Sequence, residues 1–137
     1  MSDTAPKQRP QYRNISVPQI LSYRLPLAAK ASILHRVSGA LLFLCLPLVI
    51  LPLFALSVSS PESFASLRSY VDNPFCKLIV LALIWGYMHH FCAGIRYLCL
   101  DLQMGNDKHS AKKSATAVFA VSLVLTAIFG LKLFGVW

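Results

Sequence analysis

Acidic side chains are scarce in this sequence: five, against thirteen lysines and arginines in 137 residues, for a formal net charge of +8. None of the five interrupts an uncharged apolar run, so the buried carboxylate on which an intramembrane proton relay depends is missing. That counts against a proton or ion channel. Charged residues of both signs make up only 13% of the chain and apolar ones 56%, which excludes the usual soluble balance. Cysteine is confined to Cys45, Cys76, Cys92 and Cys99, all in or beside apolar segments. There is no C-x-x-C and no C-x-x-C-H, so neither a thiol redox motif nor a covalently attached cofactor is indicated, and the four read as small buried hydrophobes. No basic stripe interleaved with aromatics and no zinc-finger spacing occurs, so nucleic acid is not an expected partner. No internal repeat is evident. The N-terminus has neither the short apolar region and cleavage site of a signal peptide nor the look of a transit peptide, so the expected address is a bacterial cytoplasmic membrane.

Long apolar runs are what the chain has. Val37 to Val58 contains no charge, and 22 residues at about 1.5 Å each cross a hydrocarbon core of roughly 30 Å. Pro47 and Pro52 fall inside this run and are expected to kink it. A second uncharged run, Leu78 to Ile95, lies within a segment from about 75 to 102. A third segment, about 114 to 137, is rich in Ala, Ser, Thr and Gly, which suits close helix packing. Residues 59 to 74 carry proline and turn-forming residues and read as a loop; 103 to 113 read as a short polar turn. The expected fold is therefore an all-α integral membrane protein with three transmembrane helices, at about 27–58, 75–102 and 114–137. A basic, proline-bearing arm at 1–26, extended or irregular, precedes this 27–137 membrane domain. Six of the basic residues lie in the first 36 and four more between Arg96 and Lys113. That distribution puts the N-terminus and the 103–113 turn in the cytoplasm and the C-terminus in the periplasm.

Two polar stretches break the apolar pattern. The first is His89-His90-Phe91-Cys92-Ala93-Gly94-Ile95-Arg96-Tyr97-Leu98-Cys99-Leu100-Asp101. On a helix His90, Gly94, Tyr97 and Asp101 share one stripe. His89 points about 100° away, so the two histidines cannot easily ligate the same iron. A histidine with a glycine one turn on, in a membrane-length segment, is what a buried haem requires. The same histidines can also serve only as hydrogen-bonding partners for neighbouring helices.

The second stretch is Ser32-Ile33-Leu34-His35-Arg36-Val37-Ser38-Gly39, in which Ser32, His35, Arg36 and Gly39 share a face. The expected topology brings it to the same membrane side as the His90–Asp101 stretch, with His90 about 9 Å deeper than Arg96. His35 and Arg36 would suit the propionates of a haem held at His90, which need cationic partners. Ser32 and Arg36 can also stabilise the oxyanion that forms when a quinone is reduced. Against this, Arg36 can simply snorkel to the interface, and Ser32 can simply start or pack a helix.

Taken together, Ser32-x-x-His35-Arg36-x-x-Gly39 and His90-x-x-x-Gly94-Ile95-Arg96 with Asp101 closely resemble the cytochrome b membrane-anchor subunit of succinate dehydrogenase, from about Arg9-Pro10 to the end of the chain. The resemblance implies a heteromeric helix bundle around a haem b, shared with a second, smaller hydrophobic subunit that gives the other axial histidine. It implies flavoprotein and iron–sulfur partners held at the bilayer, and ubiquinone as the electron acceptor. It assigns His90 as axial ligand to the haem iron, Ser32 and Arg36 to the quinone site, and His35 and Arg36 to the propionates. Tyr97 stands where many relatives carry a histidine and is given no ligand role; His89 has no counterpart in the pattern. The implied role is a subunit of succinate:quinone oxidoreductase, in the tricarboxylic acid cycle and electron transport, with no turnover alone. The alternatives are a haem-free structural anchor and the equivalent anchor of a fumarate reductase.

Overall fold

In hydrocarbon a chain must satisfy its backbone N–H and C=O groups internally, and a helix does so within one segment. The computed structural model, which describes residues 15–136, is helical through all three apolar runs, and among the described residues no strand occurs. The all-α class expected from the sequence is what is found. The first fourteen residues of the basic arm and the closing Trp137 lie outside the described residues. The rest of the arm is not wholly irregular: helix α1 spans Val17–Ser22. The Ser16 N–H donates to Gln19 Oε1 at 2.9 Å, and Pro18 sits in the first turn, where no N–H is required of it.

The first long helix runs without a break from Leu27 to Ser59, 33 residues. It consists of α2 (Leu27–Cys45), a π-helical turn (Leu46–Ile50) and α3 (Leu51–Ser59). The turn is where the two prolines act. Pro47 has no N–H for the carbonyl four residues back, and the ladder widens until Leu51 N–H reaches Leu46 O. Residues 59–74, expected as a loop, instead contain α4 (Pro61–Val71). The turn-forming residues there are helix caps. Ser60 Oγ accepts from Ser63 N at 3.1 Å while Ser60 N donates to Ser63 Oγ at 3.2 Å, and Pro61 occupies the first turn. Glu62 in the first turn and Arg68 in the last complement the helix dipole.

Asn73 caps the next helix, α5 (Pro74–Asp101), by accepting from Phe75 N at 2.9 Å. Helix α6 (Lys108–Leu133) begins six residues before the expected Ser114, because Asp107 Oδ1 accepts from both His109 N and Ser110 N at 3.0 Å. These bonds, those of Ser110 foremost, hold the Asp107 carboxyl below the usual range. The α5–α6 turn uses left-handed backbone at Gln103 (φ 61°) and Gly105 (φ 73°), a conformation natural only to the glycine.

Helix α5 is central and packs on both α2 and α6. The seam on α6 is Ala115, Val118, Ser122, Thr126 and Gly130, all buried. A Cβ on Gly130 would stand 2.9 Å from Leu81 Cδ1, so the two helices approach closely enough there that an added methyl would displace that leucine. The buried apolar core is correspondingly small: Ala31, Ala93, Ala115 and Val118. Large apolar residues face outward, Phe43 at 74% and Leu48 at 72% exposure. That distribution inverts the soluble pattern, and it matches three helices, Leu27–Ser59, Pro74–Asp101 and Lys108–Leu133, long and apolar enough to cross a membrane.

Candidate functional site

The two polar stretches meet where α2 packs on α5. The imidazoles of His35 and His90 stack, with centroids 4.2 Å apart and planes 14° from parallel, and Tyr97 tilts against His35 at 5.0 Å. His90 Nδ1 lies 3.0 Å from the His35 carbonyl oxygen, an atom that can only accept. The proton is therefore on Nδ1, and it points at the α2 backbone. Ser38 completes the clamp: its hydroxyl donates to the same carbonyl at 3.0 Å and stands 3.3 Å from Nδ1, placed to accept a share of that bond. In the neutral ring with Nδ1 protonated, Nε2 carries the lone pair, and it has no hydrogen-bond partner among the described residues. This is the arrangement in which a backbone carbonyl fixes a metal-ligating histidine from behind.

Two glycines adjoin the stack, and they do different work. A Cβ on Gly39 of α2 would stand 2.7 Å from His90 Cε1 and 3.2 Å from Nδ1, too close for any real contact. A Cβ on Gly94 would meet only His35 Nε2, at an ordinary 3.8 Å. Room for the His90 ring thus comes from the facing helix, while Gly94 opens space beside His35. The sequence pattern pointed at Gly94 for this purpose. It held no signal for the Gly39 contact beyond Gly39 sharing a face with His35, nor for Ser38, whose place three residues after His35 is visible only once α2 is known to face α5.

His89 goes elsewhere. It is 1% exposed, between Trp85 (5.6 Å) and Phe119 of α6 (5.1 Å). Neither ring nitrogen makes a hydrogen bond of good geometry, although the Ala31 backbone faces it. The ring is buried, and it borders an apolar cavity of about 360 Å³ lined also by Ser38, Leu42 and Trp85. His90 is only half-buried, on the α2–α5 seam. The 100° turn between neighbouring residues therefore sends one histidine into the three-helix interior and the other to its rim.

The remaining residues singled out by sequence do not join this cluster. Arg36 is exposed, Ser32 is half-buried, and neither makes a hydrogen bond or ion pair among the described residues. Asp101 is exposed at the end of α5. Among the described residues no three His, Cys, Asp or Glu side chains converge as a complete metal site. The seam thus presents one imidazole nitrogen without a partner, beside an aromatic wall.

Residues 6–129 match the family described as succinate dehydrogenase/fumarate reductase transmembrane subunit. The succinate dehydrogenase cytochrome b556 subunit of Paracoccus denitrificans is 36% identical over 111 residues, 81% of this chain and 85% of that protein. The subunit of the same name from Coxiella burnetii is 35% identical over 112 residues, 81% of this chain and 89% of its own length. That of Rickettsia felis is 26% identical over 130 residues, 91% and 97% of the two chains.

Proposed function

The chain belongs to the succinate dehydrogenase/fumarate reductase transmembrane-subunit family, and from that we propose that it is the haem b- and quinone-binding membrane anchor of a succinate:quinone oxidoreductase, inactive alone. The observation that carries the reading is His90: an imidazole whose Nδ1–H is held by a backbone carbonyl, whose Nε2 lone pair is unused, and whose ring stands at the rim of the bundle. The donor set fits a haem. A single imidazole per chain is what a bis-histidine site shared between two subunits needs. When bound, the haem would supply one-electron redox capacity between the soluble subunits and the quinone.

The chain's own residues do the rest. Ser38 and the His35 carbonyl hold the ligand's tautomer and ring plane. The His35 ring stacks on His90, and with Arg36 it would supply polar partners for the propionates of a bound haem. Arg36 is always charged, and its planar fork suits an oxygen that gains negative charge as ubiquinone is reduced; Ser32, one helical turn before it, offers a hydroxyl donor. The second hydrophobic subunit would cover the His90 face, and the iron–sulfur and flavoprotein subunits would dock on the cytoplasmic side, where the basic segments lie.

The test is a reduced-minus-oxidised spectrum of the purified complex with its subunits identified. Wild type should show a low-spin b-type haem. His90→Ala should lose or alter it, and His89→Phe, which keeps the interior filled, should retain it. The reverse outcome would move the ligand to His89. An assembled wild-type complex without haem would leave a purely structural anchor.

A further inference from the structure

Arg96 belongs to the pattern on α5 but has no part in the site above. As a residue it is 9% exposed. Its Nε donates to Ser114 Oγ on α6 at 2.9 Å, and its Cζ lies 5.6 Å from the Tyr97 ring centroid. Among the described residues no carboxylate lies within ion-pair distance of it. An arginine cannot discharge itself by losing a proton, so burial leaves a full cation whose only strong local partner is one neutral hydroxyl. Its Nη groups make no bond among the described residues and are placed to take an anion from outside the chain.

The shape beside it says which kind. A cavity of about 350 Å³ opens between α5 and α6 against Arg96, lined almost wholly by apolar atoms of residues such as Cys99, Leu100, Val118 and Val121. Arg96 lies five residues before the end of α5, roughly 7.5 Å below it, within reach of headgroup depth for a long side chain. Lys108, Lys112 and Lys113 in the first turns of α6 add positive charge at the same end. An apolar groove with a buried cation near its polar end matches an amphiphile with an anionic head.

We propose that the α5–α6 cleft binds an anionic phospholipid, its phosphate on the free Nη groups of Arg96 and an acyl chain along Val118 and Val121. The site is independent of the His90 seam, since Arg96 projects about 120° around α5 from His90. A partner protein's carboxylate would satisfy the charge, but it would leave the apolar groove below unfilled.

The experiment uses the purified assembled complex, stripped of lipid in nonionic detergent and titrated with dioleoylphosphatidylglycerol or dioleoylphosphatidylcholine, with retention read by native mass spectrometry. Wild type should retain the anionic dioleoylphosphatidylglycerol roughly fivefold better, the preference expected for one engaged basic residue. Arg96→Gln should abolish that preference, and Lys112→Gln should keep most of it. Inorganic phosphate at millimolar concentration should not displace the lipid, because it lacks the acyl chain. Should Arg96→Gln fail to assemble, Ala117→Trp keeps the charge and fills the groove, and it must lower retention of both lipids. Equal retention of the two lipids by wild type would mean that a partner group or nothing answers Arg96. An unchanged preference in Arg96→Gln, or displacement by free phosphate, would equally overturn the assignment.

Discussion

Replacing Gly39 with alanine adds one methyl carbon to the face of α2 that meets His90. That carbon would lie 2.7 Å from His90 Cε1, where ordinary contact begins at about 3.4 Å, so something must give by at least 0.7 Å (3.4 − 2.7). The ring has little freedom to yield. His35 is stacked on it at 4.2 Å, and its Nδ1 is bonded to the His35 carbonyl. Overpacking of this sort costs about 1–3 kcal/mol. A neutral hydrogen bond is worth about 0.5–1.5 kcal/mol, so the cheaper escape is to rotate the imidazole and give up the carbonyl. The consequence is specific: the Nδ1–H tautomer is no longer enforced and Nε2 leaves its place. Losing such outer support typically weakens metal binding about 10–100-fold.

Gly94→Ala provides the contrast. It adds the same methyl group to a helix and gains the same helical propensity, about 0.5–1 kcal/mol, but its nearest new contact is an ordinary 3.8 Å. Any difference between the two variants therefore reports the contact and not the backbone. Two readouts are needed. In the haem-free chain in detergent, nitrogen NMR of labelled His90 should show a protonated Nδ1 in wild type and Gly94→Ala, and a mixed tautomer in Gly39→Ala. In the assembled complex, haem content and the low-spin electron paramagnetic resonance signal should fall or shift only in Gly39→Ala. Equal behaviour of the two variants in both measurements would refute the reasoning, because the predicted steric difference would then be without effect.

Other consequences can be checked separately. If Arg36 works through its planar donors, Arg36→Lys should lower quinone-dependent succinate oxidation by about 10²–10³ while artificial-acceptor activity survives. Ser32→Ala should move the same ratio in the same direction, and an unchanged ratio in fully assembled complex would leave Arg36 as an interfacial anchor. A reporter active only outside the cytoplasm should be active when fused after Trp137 and silent at Asn106; the opposite pattern would overturn the orientation. The Asp107 cap carries a pH signature. Its carboxyl is held below the usual range, so the stabilisation is complete above the unfolded-state pKa and is lost as pH falls through the lower folded value. Protection of the His109 and Ser110 amides, corrected for intrinsic exchange rates, should fall over that acidic window in wild type. It should be flat in Asp107→Asn, and flat behaviour in both would remove the cap from the account.

What could be read from the sequence, and what could not, divides along a physical line. The three spans were legible because an uncharged run of membrane length has few alternatives to a helix. Helix α4 was not, because Ser60, Pro61 and Asn73 are equally good turn residues and helix caps, and only tertiary packing on α3 settles which. The start of α6 was missed for a related reason: hydropathy sees the apolar part, whereas Asp107 begins the helix in polar sequence. At the site, the identity of the important stretches was legible from residue type and spacing. Their pairing across helices was not, because the rotation of α2 against α5 is set by packing. That rotation decides that Gly39 faces the His90 ring, that Ser38 reaches Nδ1, and that His89 turns inward.

The same rotation bears on what covers the protein. Exposed leucines and phenylalanines tell lipid and protein neighbours apart poorly, since hydrocarbon accepts both. Polar groups are more informative. The His35, His90 and Tyr97 edges are half-buried on the α2–α5 seam at membrane depth, and an open lipid contact there would leave ring nitrogens and a phenol unsatisfied. That face would suit a polar or metal-bearing neighbour, as the proposed haem and second hydrophobic subunit would be. The α5–α6 side differs. Its cleft is apolar apart from Arg96 and serine hydroxyls, and Ser110 and Ser114 lie along the same groove. A chain-like amphiphile fits it better than a flat cofactor. On both proposals helix α5 would separate two surfaces, one taking a ligand at a neutral nitrogen and one taking an anion at Arg96.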